Sequence, residues 1–333
     1  MVDLAGGREA VEVRLGESVS QELTRRLAAS FREYLPTCKL HESYLASRLN
    51  ETVKLRHEAE RGTDDEYDEA GCSCEPDEAG QACSATSESC DCVGTYGNFY
   101  VDQPASPTLL LDAIPARHAL VECSDECACS TKGCANRVVG RGLRAALTVV
   151  DAGPSMGLGL QTTHSISKGH FVIEYAGEIV SDHEARQRWE AYAMDENVVG
   201  NYILAVKEHS EGHILRTNID PTRVGNAARF INHSCDANLV MLPVRVDGSI
   251  QLTSQSEQVR APSPPRAALF AKRDIAAGEQ LSFDYSDGSS SSGESGGGQS
   301  TTGREEQAVG ATMARCLCMA ATCRGWLYTD ASL

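Results

Sequence analysis

The cysteines are the feature of this sequence that most restricts how the chain can fold. Twelve of the fourteen fall into three groups, at residues 72–92, 123–134 and 316–323. Residues 1–13 carry charges and lack the apolar segment of a signal peptide, so we expect a cytosolic or nuclear chain whose thiols stay reduced. Because disulfide scaffolds are mostly small secreted domains, the cysteines predict structural zinc sites instead.

Nine cysteines lie in the first two groups. Three separate tetrahedral zinc sites would need twelve thiolates, but nine are enough if three of them each bridge two metals. Their order is Cys-x-Cys, Cys, Cys-x-Cys, then Cys-x3-Cys-x-Cys-x4-Cys, which indicates metal binding rather than a disordered acidic tail. Closed thiolate sites leave no open position on the metal, so we expect a structural role. The nine residues are Cys72, Cys74, Cys83, Cys90, Cys92, Cys123, Cys127, Cys129 and Cys134.

The net charge of the chain is −17 at neutral pH. Tight, non-specific DNA binding needs a basic surface, so the charge argues against direct DNA binding and against a zinc-rich nucleic-acid adaptor. It suits a basic partner such as a histone tail, although an acidic surface that only keeps the protein soluble is an equal alternative. No apolar run approaches the roughly 18 residues of a transmembrane helix, so we expect no membrane partner.

One segment carries a motif that is specific to a family. Residues 229–238 read Arg-Phe-Ile-Asn-His-Ser-Cys-Asp-Ala-Asn, which resembles the core signature of the SET-domain protein-lysine methyltransferases. Two further segments are similar to motifs of the same family. They are residues 171–180, which contain Glu-Tyr-Ala-Gly-Glu, and residues 278–285, Gly-Glu-Gln-Leu-Ser-Phe-Asp-Tyr. The resemblance extends over residues 70–328 and leaves the first seventy residues unexplained.

The resemblance implies a binding site for S-adenosylmethionine and two active-site tyrosines, Tyr285 and Tyr202. Leu158 stands where the Gly-x-Gly loop of the family usually carries tryptophan. A dinucleotide site is the weaker alternative for this loop, since Thr162 replaces the third glycine of that motif and no helix is predicted after it. The implied cofactor contacts are Met156, Gly157, Leu158, Asn232, His233 and Leu327.

The resemblance also implies how the thiols share the metal. The first nine cysteines correspond to a pre-SET triangular cluster of three zinc ions. The last three cysteines are one ligand short of a tetrahedral site, and in the family the cysteine of the core signature completes this post-SET zinc. A nucleophile–base pair of His233 and Cys235 is the weaker alternative, because closeness in sequence does not supply the hydrogen-bond geometry. The expected ligands of the post-SET zinc are Cys235, Cys316, Cys318 and Cys323.

The expected fold is mostly β with short helices. The resemblance implies the SET-domain β-fold, in which several small sheets surround the cofactor cleft and the C-terminal segment forms a pseudoknot. We expect a helical extension at residues 1–60, a pre-SET zinc-binding domain at 70–140, a SET domain at 141–286, a flexible Gly/Ser-rich linker at 287–311 and a post-SET zinc motif at 312–328.

Local patterns add expectations for individual elements. Ser18 and Gln21 have the spacing of a capping box, which predicts a helix whose apolar residues continue to Tyr34. Ser181 has the same spacing to an acidic residue before a second predicted helix. Residues 251–265 are polar and contain several prolines, which predicts a surface loop.

The implied function is methylation of a lysine on the histone H3 tail, at lysine 9, 36 or 4, by a nuclear enzyme that acts on chromatin and binds the histone H3 tail or the nucleosome. Phe283 lies where relatives set the number of methyl groups, and predicts a di- or trimethylated product. The alternative is a catalytically weak or inactive SET scaffold that only binds chromatin. Leu158 and Thr217 favour this alternative, because both stand where relatives have aromatic residues in contact with the cofactor.

Overall fold

The computed structural model describes most of the chain. The acidic stretch at residues 60–70 and the expected Gly/Ser-rich linker at 287–311 lie outside the described residues. The described residues are 3–59, 71–75, 82–84, 87, 90–101, 107–114, 120–129, 133–196, 198, 202–210, 213–253, 258–285 and 312–329.

Short strands dominate this part of the chain, and helices are few. None of the helices within the described ranges is long and apolar enough to cross a bilayer. The helices are α1 (Gln21–Ser30), α2 (Glu42–Ala59), α3 (Asp91–Tyr96) and α4 (Asp182–Ala193). The strands are β1 (Val13–Leu15), β2 (Glu33–Tyr34), β3 (Lys39–Leu40), β4 (Tyr100–Val101), β5 (Thr108–Leu109), β6 (Leu120–Val121), β7 (Leu147–Asp151), β8 (Leu158–Thr162), β9 (Phe171–Glu174), β10 (Gly177–Val180), β11 (Leu204–Ser210), β12 (His213–Gly225), β13 (Asn232–His233), β14 (Leu239–Arg245), β15 (Ser249–Thr253), β16 (Gln258–Pro262), β17 (Arg266–Ala271), β18 (Ser282–Phe283), β19 (Thr312–Arg315) and β20 (Trp326–Thr329).

The strands form several small sheets. The largest has the order β13-β18-β14-β17-β9, with β6 also paired to β14. A second has the order β11-β12-β10-β3, with β2 also paired to β12, and a third has the order β1-β7-β8. Three two-stranded pairs, β4-β5, β15-β16 and β19-β20, complete the set among the described strands. The expected fold of several small sheets with short helices is therefore confirmed.

Strand β17 divides the interior into two cores. Its residues from Ala267 to Ala271 are fully buried, as is typical of a strand covered on both faces. Because side chains alternate along a strand, Leu269 points into the main core and Phe270 into a second one. In the second core the rings of Phe171 and Phe270 meet edge to face, with centroids 5.7 Å apart.

The first sixty residues are built into these sheets. Strands β1, β2 and β3 pair in parallel with β7, β12 and β10, respectively. Val13, Leu27 and Tyr34 are buried in the main core. The N-terminal extension therefore contains three strands besides its two helices. Their pairing partners lie more than a hundred residues away, so no local pattern reveals them.

Helix α1 begins at a different cap from the one predicted. The Oγ of Ser20 accepts from the backbone N–H of Leu23 at 3.2 Å, whereas the Oγ of Ser18 accepts from the N–H of Asp151 at 3.2 Å. Ser18 therefore ties α1 to the end of β7, and Ser20 caps the helix. The helix ends at Ser30, so the prediction that it continues to Tyr34 is wrong. The prediction of a cap at Ser181 is confirmed, since its Oγ accepts from a backbone N–H of α4.

Residues 251–265 do not form the surface loop that their composition predicts. Most of this stretch belongs to the hairpin of β15 and β16. Its side chains alternate between exposed and buried, and Leu252 and Val259 are buried against Leu45 and Leu49 of α2. The apolar face is covered by a distant helix, which is why the polar composition was misleading.

Leu27 and Leu55 offer a matched test of whether the extension belongs to the core. Leu27 is 8% exposed and Leu55 is 54% exposed. We expect Leu27→Ala to lower the free energy of unfolding by about 2–5 kcal/mol, because it leaves a buried cavity. Leu55→Ala should change it by about 0.5 kcal/mol or less. Denaturant unfolding followed by tryptophan fluorescence measures both, and equal effects would contradict the packing described above.

Candidate functional site

The first nine cysteines converge into groups of four. In each of three groups, all four sulfur atoms lie within 4.8 Å of one another. Cys123 belongs to all three groups, and Cys72 and Cys83 each belong to two. The groups are Cys72, Cys92, Cys123 and Cys127; Cys72, Cys83, Cys90 and Cys123; and Cys83, Cys123, Cys129 and Cys134.

Cys74 completes the arrangement. Its thiol shares hydrogen bonds with Cys72, Cys83 and Cys90, so these four also form a set. If this set takes the place of the group of Cys72, Cys83, Cys90 and Cys123, three sets remain in which Cys72, Cys83 and Cys123 are each shared by two sets and each of the other six thiols serves one. This is the division that nine thiolates need in order to serve three tetrahedral metals.

The chemistry of these ligands fits zinc. The groups are made of sulfur alone, and most of the thiols are buried, a donor set that selects zinc among the common divalent metals. The hydrogen bond from Cys123 lowers the pKa of Cys127, which favours its thiolate, the form that binds metal.

A second metal-compatible group joins the core signature to the end of the chain. The ligand atoms of His233, Cys235, Cys316 and Cys318 all lie within 4.8 Å of one another. The sulfur atoms of Cys235 and Cys316 are 3.8 Å apart although 81 residues separate them. Cys323 shares hydrogen bonds with Cys316 and Cys318. The four expected thiols therefore come together, and His233 lies beside them.

Four of the six expected cofactor contacts, namely Met156, Gly157, Leu158 and Asn232, lie together at the start of β8. The Nδ2 of Asn232 donates to the carbonyl of Leu158 at 3.0 Å, which fixes the core signature against the glycine loop. Gly157 has a φ of +67°, a conformation that favours glycine. No heavy atom beyond its chain neighbours lies within 4 Å of the point that a Cβ would occupy there. Met156 belongs to the same turn. The loop therefore offers backbone and open space to a ligand.

His233 connects this loop to the metal-compatible group. Its Nδ1 accepts the backbone N–H of Tyr285 at 3.2 Å, so the proton of the neutral ring lies on Nε2. Nε2 is 3.3 Å from the sulfur of Cys235. Burial lowers the pKa of His233 although Asp284 is close, which keeps the ring neutral at pH 7. The imidazole thus holds Tyr285 on one side and the Cys235 thiol on the other.

Tyr285 is anchored at both ends. Its hydroxyl donates to the carbonyl of Ile231 at 2.9 Å. Desolvation of its hydroxyl, together with the nearby hydroxyl of Tyr202, raises the pKa of Tyr285 above its ordinary value, although 43% of the residue is exposed. Tyr285 therefore stays a neutral phenol at physiological pH, with lone pairs left to accept a hydrogen bond.

Rings and one cation surround the two expected active-site tyrosines. Phe283 lies 4.8 Å from Tyr285 and 6.2 Å from Tyr175, measured between ring centroids. The hydroxyl of Tyr175 donates to the carbonyl of Tyr202 at 2.7 Å. The guanidinium of Arg229 lies 4.2 Å from the ring centroid of Tyr202. Tyr175 and Arg229 both lie inside family-like motifs of the sequence, but no sequence pattern marks either as a site residue.

Leu327 and Thr217 lie on strands away from this cluster of rings. Leu327 lies on β20, half-buried and opposite Ala314. Thr217 is buried on β12 opposite Val206. Among the described hydrogen bonds and ring contacts, none joins either residue directly to Tyr285, so their part in a cofactor site stays a prediction.

Comparisons with known proteins agree with this geometry. The SET domain family matches residues 157–286. The chain is 38% identical over 213 residues to the histone-lysine N-methyltransferase SETMAR of Mus musculus, which covers 64% of this chain and 61% of that protein. It is 32% identical over 266 residues to the probable histone-lysine N-methyltransferase set-23 of Caenorhabditis elegans, covering 79% of this chain and 88% of that protein.

A solved structure is similar over nearly the whole length. The crystal structure of the methyltransferase domain of human SETMAR has a TM-score of 0.64 and 27% identity, and covers 98% of this chain and 97% of that one. The chain spans about three fifths of the length of the mouse SETMAR protein. Sequence also indicates the similarity to SETMAR, through Asn-Tyr-Ile at residues 201–203 and Pro-Val-Arg at residues 243–245.

Substitution of single thiols tests the sharing of ligands. We expect Cys123→Ser to release more bound zinc than Cys74→Ser, because Cys123 belongs to three groups of four thiols. Cys38→Ser is the matched control, since Cys38 lies outside these groups. Elemental analysis of purified protein gives the zinc content per chain. Equal losses from Cys123→Ser and Cys74→Ser would contradict the sharing.

Proposed function

Because the chain belongs to the SET-domain family of histone-lysine methyltransferases, we propose that it transfers a methyl group to a lysine amine of the histone H3 tail. S-adenosylmethionine supplies the methyl group, on a positively charged sulfur. Support comes from the meeting of the glycine loop, Asn232 and the Tyr285 hydroxyl at one place. The net charge of −17 attracts a basic tail.

The residues around Tyr285 can prepare an amine for in-line transfer. A lysine amine has an unperturbed pKa near about 10.4, so it must lose a proton before it can attack. The rings of Phe283 and Tyr175 would remove water from the amine and lower its pKa. The Tyr285 hydroxyl donates to Ile231 and keeps lone pairs free, so it can accept from the amine N–H and orient the nitrogen. Tyr202 would line the other side.

The proposed path of the tail follows β11. Among the described strands, β11 pairs only with β12, so its other edge has no strand partner there. An extended histone segment can add to such an edge through main-chain hydrogen bonds. Tyr202 lies two residues before β11 begins. A lysine of the added strand would therefore enter beside Tyr202.

We propose that four zinc ions support this site. Three would occupy the nine-thiol cluster, with Cys72, Cys83 and Cys123 as bridging ligands. The fourth would be held by Cys235, Cys316, Cys318 and Cys323, as a closed site that draws the C-terminal segment over the cleft. Their role is structural, since each would have four protein ligands.

The expected location is the nucleus, with the histone H3 tail or the nucleosome as partner, and lysine 9, 36 or 4 as the target.

A second candidate is an inactive SET scaffold that binds chromatin, which the buried position of Thr217 favours. One assay distinguishes the enzyme from the scaffold. Purified protein is incubated with labelled S-adenosylmethionine and either core histones or nucleosomes, and the product is analysed by mass spectrometry. Label on one H3 lysine supports the enzyme, and cofactor binding without label supports the scaffold.

Removal of one oxygen tests the role of Tyr285. We expect Tyr285→Phe to lower kcat by about 10²-fold or more, because the amine loses its orienting acceptor. Tyr96→Phe is the matched control, since Tyr96 is an exposed tyrosine on α3. Steady-state methylation of an H3 peptide measures both variants. Near-normal turnover by Tyr285→Phe would refute the assignment.

Phe283 provides a test of the product. We expect the wild-type protein to add two or three methyl groups, because a phenylalanine beside Tyr285 leaves room around the amine. Phe283→Tyr should shift the product toward monomethyl-lysine, since its added hydroxyl occupies that room and can bind the amine. Mass spectrometry of peptide products at full conversion counts the methyl groups. A wild-type protein that stops at one would contradict the proposal.

A further inference from the structure

Arg229 is a buried cation in unusual surroundings. It is 5% exposed, and its Nη1 donates to the carbonyls of Pro221 and Thr222 at 3.1 and 2.6 Å. Its Nε has no hydrogen-bond partner within the described part of the chain. No carboxylate among the described residues forms an ion pair with it. Buried cations normally require such a partner, so another interaction must stabilise this guanidinium.

Aromatic rings supply that interaction. The Cζ of Arg229 lies 4.2 Å from the ring centroid of Tyr202, 5.3 Å from that of Phe31 and 5.4 Å from that of Phe230. All three distances are within the roughly 6 Å at which a cation and a ring face attract each other, and the attraction is stronger away from water. The guanidinium is therefore close to both a ring of the candidate site and a ring of the N-terminal extension.

The segment that carries Phe31 is firmly attached. We name residues 31–38 the N-terminal strap. The N–H of Arg32 donates to the carbonyl of Arg223, and the N–H of Leu35 to that of Gly225, each at 2.7 Å. These bonds fix the strap to the end of β12, immediately before the segment that bears Arg229.

The strap also contacts Glu174, which is next to Tyr175, the second residue that holds Tyr202. The backbone N–H of Cys38 and the hydroxyl of Thr37 donate to the carboxylate of Glu174, at distances of 3.0 and 2.9 Å. Glu174 directly precedes Tyr175, whose hydroxyl holds the backbone of Tyr202. The strap therefore supports Tyr202 from two directions, through Arg229 and through Tyr175.

We infer that Phe31 is a positioning residue, which holds the ring of Tyr202 in its active orientation through the guanidinium of Arg229. The inference rests on the proposed methyl transfer at this site. It gives the N-terminal extension a part in the reaction, although the extension supplies no group that touches the reacting atoms. The π face of Phe31 is the required property, because the guanidinium has no carboxylate partner in the described structure that could replace it.

Substitutions of Phe31 separate its π face from its volume. Phe31→Leu keeps most of the apolar volume and loses the ring, whereas Phe31→Tyr keeps the ring. We expect Phe31→Leu to lower kcat on an H3 peptide by about 10- to 100-fold, since small displacements of positioning groups have effects of this size. The Kd for S-adenosylmethionine and the zinc content should stay unchanged, and Phe31→Tyr should restore kcat. Phe99→Leu is the matched control, because Phe99 packs against the second core.

A spectroscopic measurement tests the same contact without activity. In a nitrogen-labelled full-length protein, the Nε–H of Arg229 should resonate upfield, because it lies over aromatic rings. Phe31→Leu should move this signal downfield, and Phe31→Tyr and Phe99→Leu should not. Because the signal does not depend on turnover, it tests the strap even if the wild-type protein transfers no methyl group, an outcome that would refute the proposed function alone.

Three results would overturn the inference. The first is an unchanged Arg229 signal in Phe31→Leu, which would mean that the ring does not hold the guanidinium. The second is a shifted signal with wild-type kcat, which would mean that the guanidinium does not position Tyr202. The third is an equal loss of kcat in Phe31→Leu and Phe99→Leu, which would mean that Phe31 contributes only general packing.

Discussion

The parallel pairing of β13 with β18 is the constraint on which the candidate site depends. It places Asn232 opposite Ser282 and His233 opposite Phe283, although about fifty residues separate the two strands. From this register, the backbone N–H of Tyr285 meets the ring of His233. A shift by one residue would turn His233 and Phe283 to the opposite faces of the sheet. The Tyr285 hydroxyl and the glycine loop would then no longer share one cleft.

The thiol groups are a second constraint on the structure. They lie where the chain lacks the apolar side chains for a hydrophobic core. The segment around the first cysteines is rich in acidic residues, and its described interior consists mostly of cysteine side chains. Metal binding would convert these thiols into a source of folding free energy. The same chemistry at Cys235 and Cys316 would hold the C-terminal segment next to His233. Metal-compatible groups thus border the candidate cleft where packing alone would be weak.

The features that depend on chemically specific residues could be predicted from the sequence. The cysteine spacing indicated shared ligands, and the core signature indicated where Asn232 and His233 lie. Sequence did not reveal the parallel strands of the N-terminal extension, because their partners are distant and β2 has only two residues. It also gave no means to choose between Ser18 and Ser20, since the choice depends on the tertiary contact with Asp151. Arg229 stands in the core signature, but the rings of Phe31 and Tyr202 come close to it only in the folded chain.

The pairing of the N-terminal strap with β12 has a consequence for biosynthesis. Glu33 pairs with Val224, so β2 cannot reach its final partner until that part of the chain has left the ribosome. At about 5–20 residues per second, the delay is about 10–40 s. During this time Tyr34, which is buried in the finished core, remains accessible to water and to chaperones. Strand β2 is thus translated long before it can reach its final place.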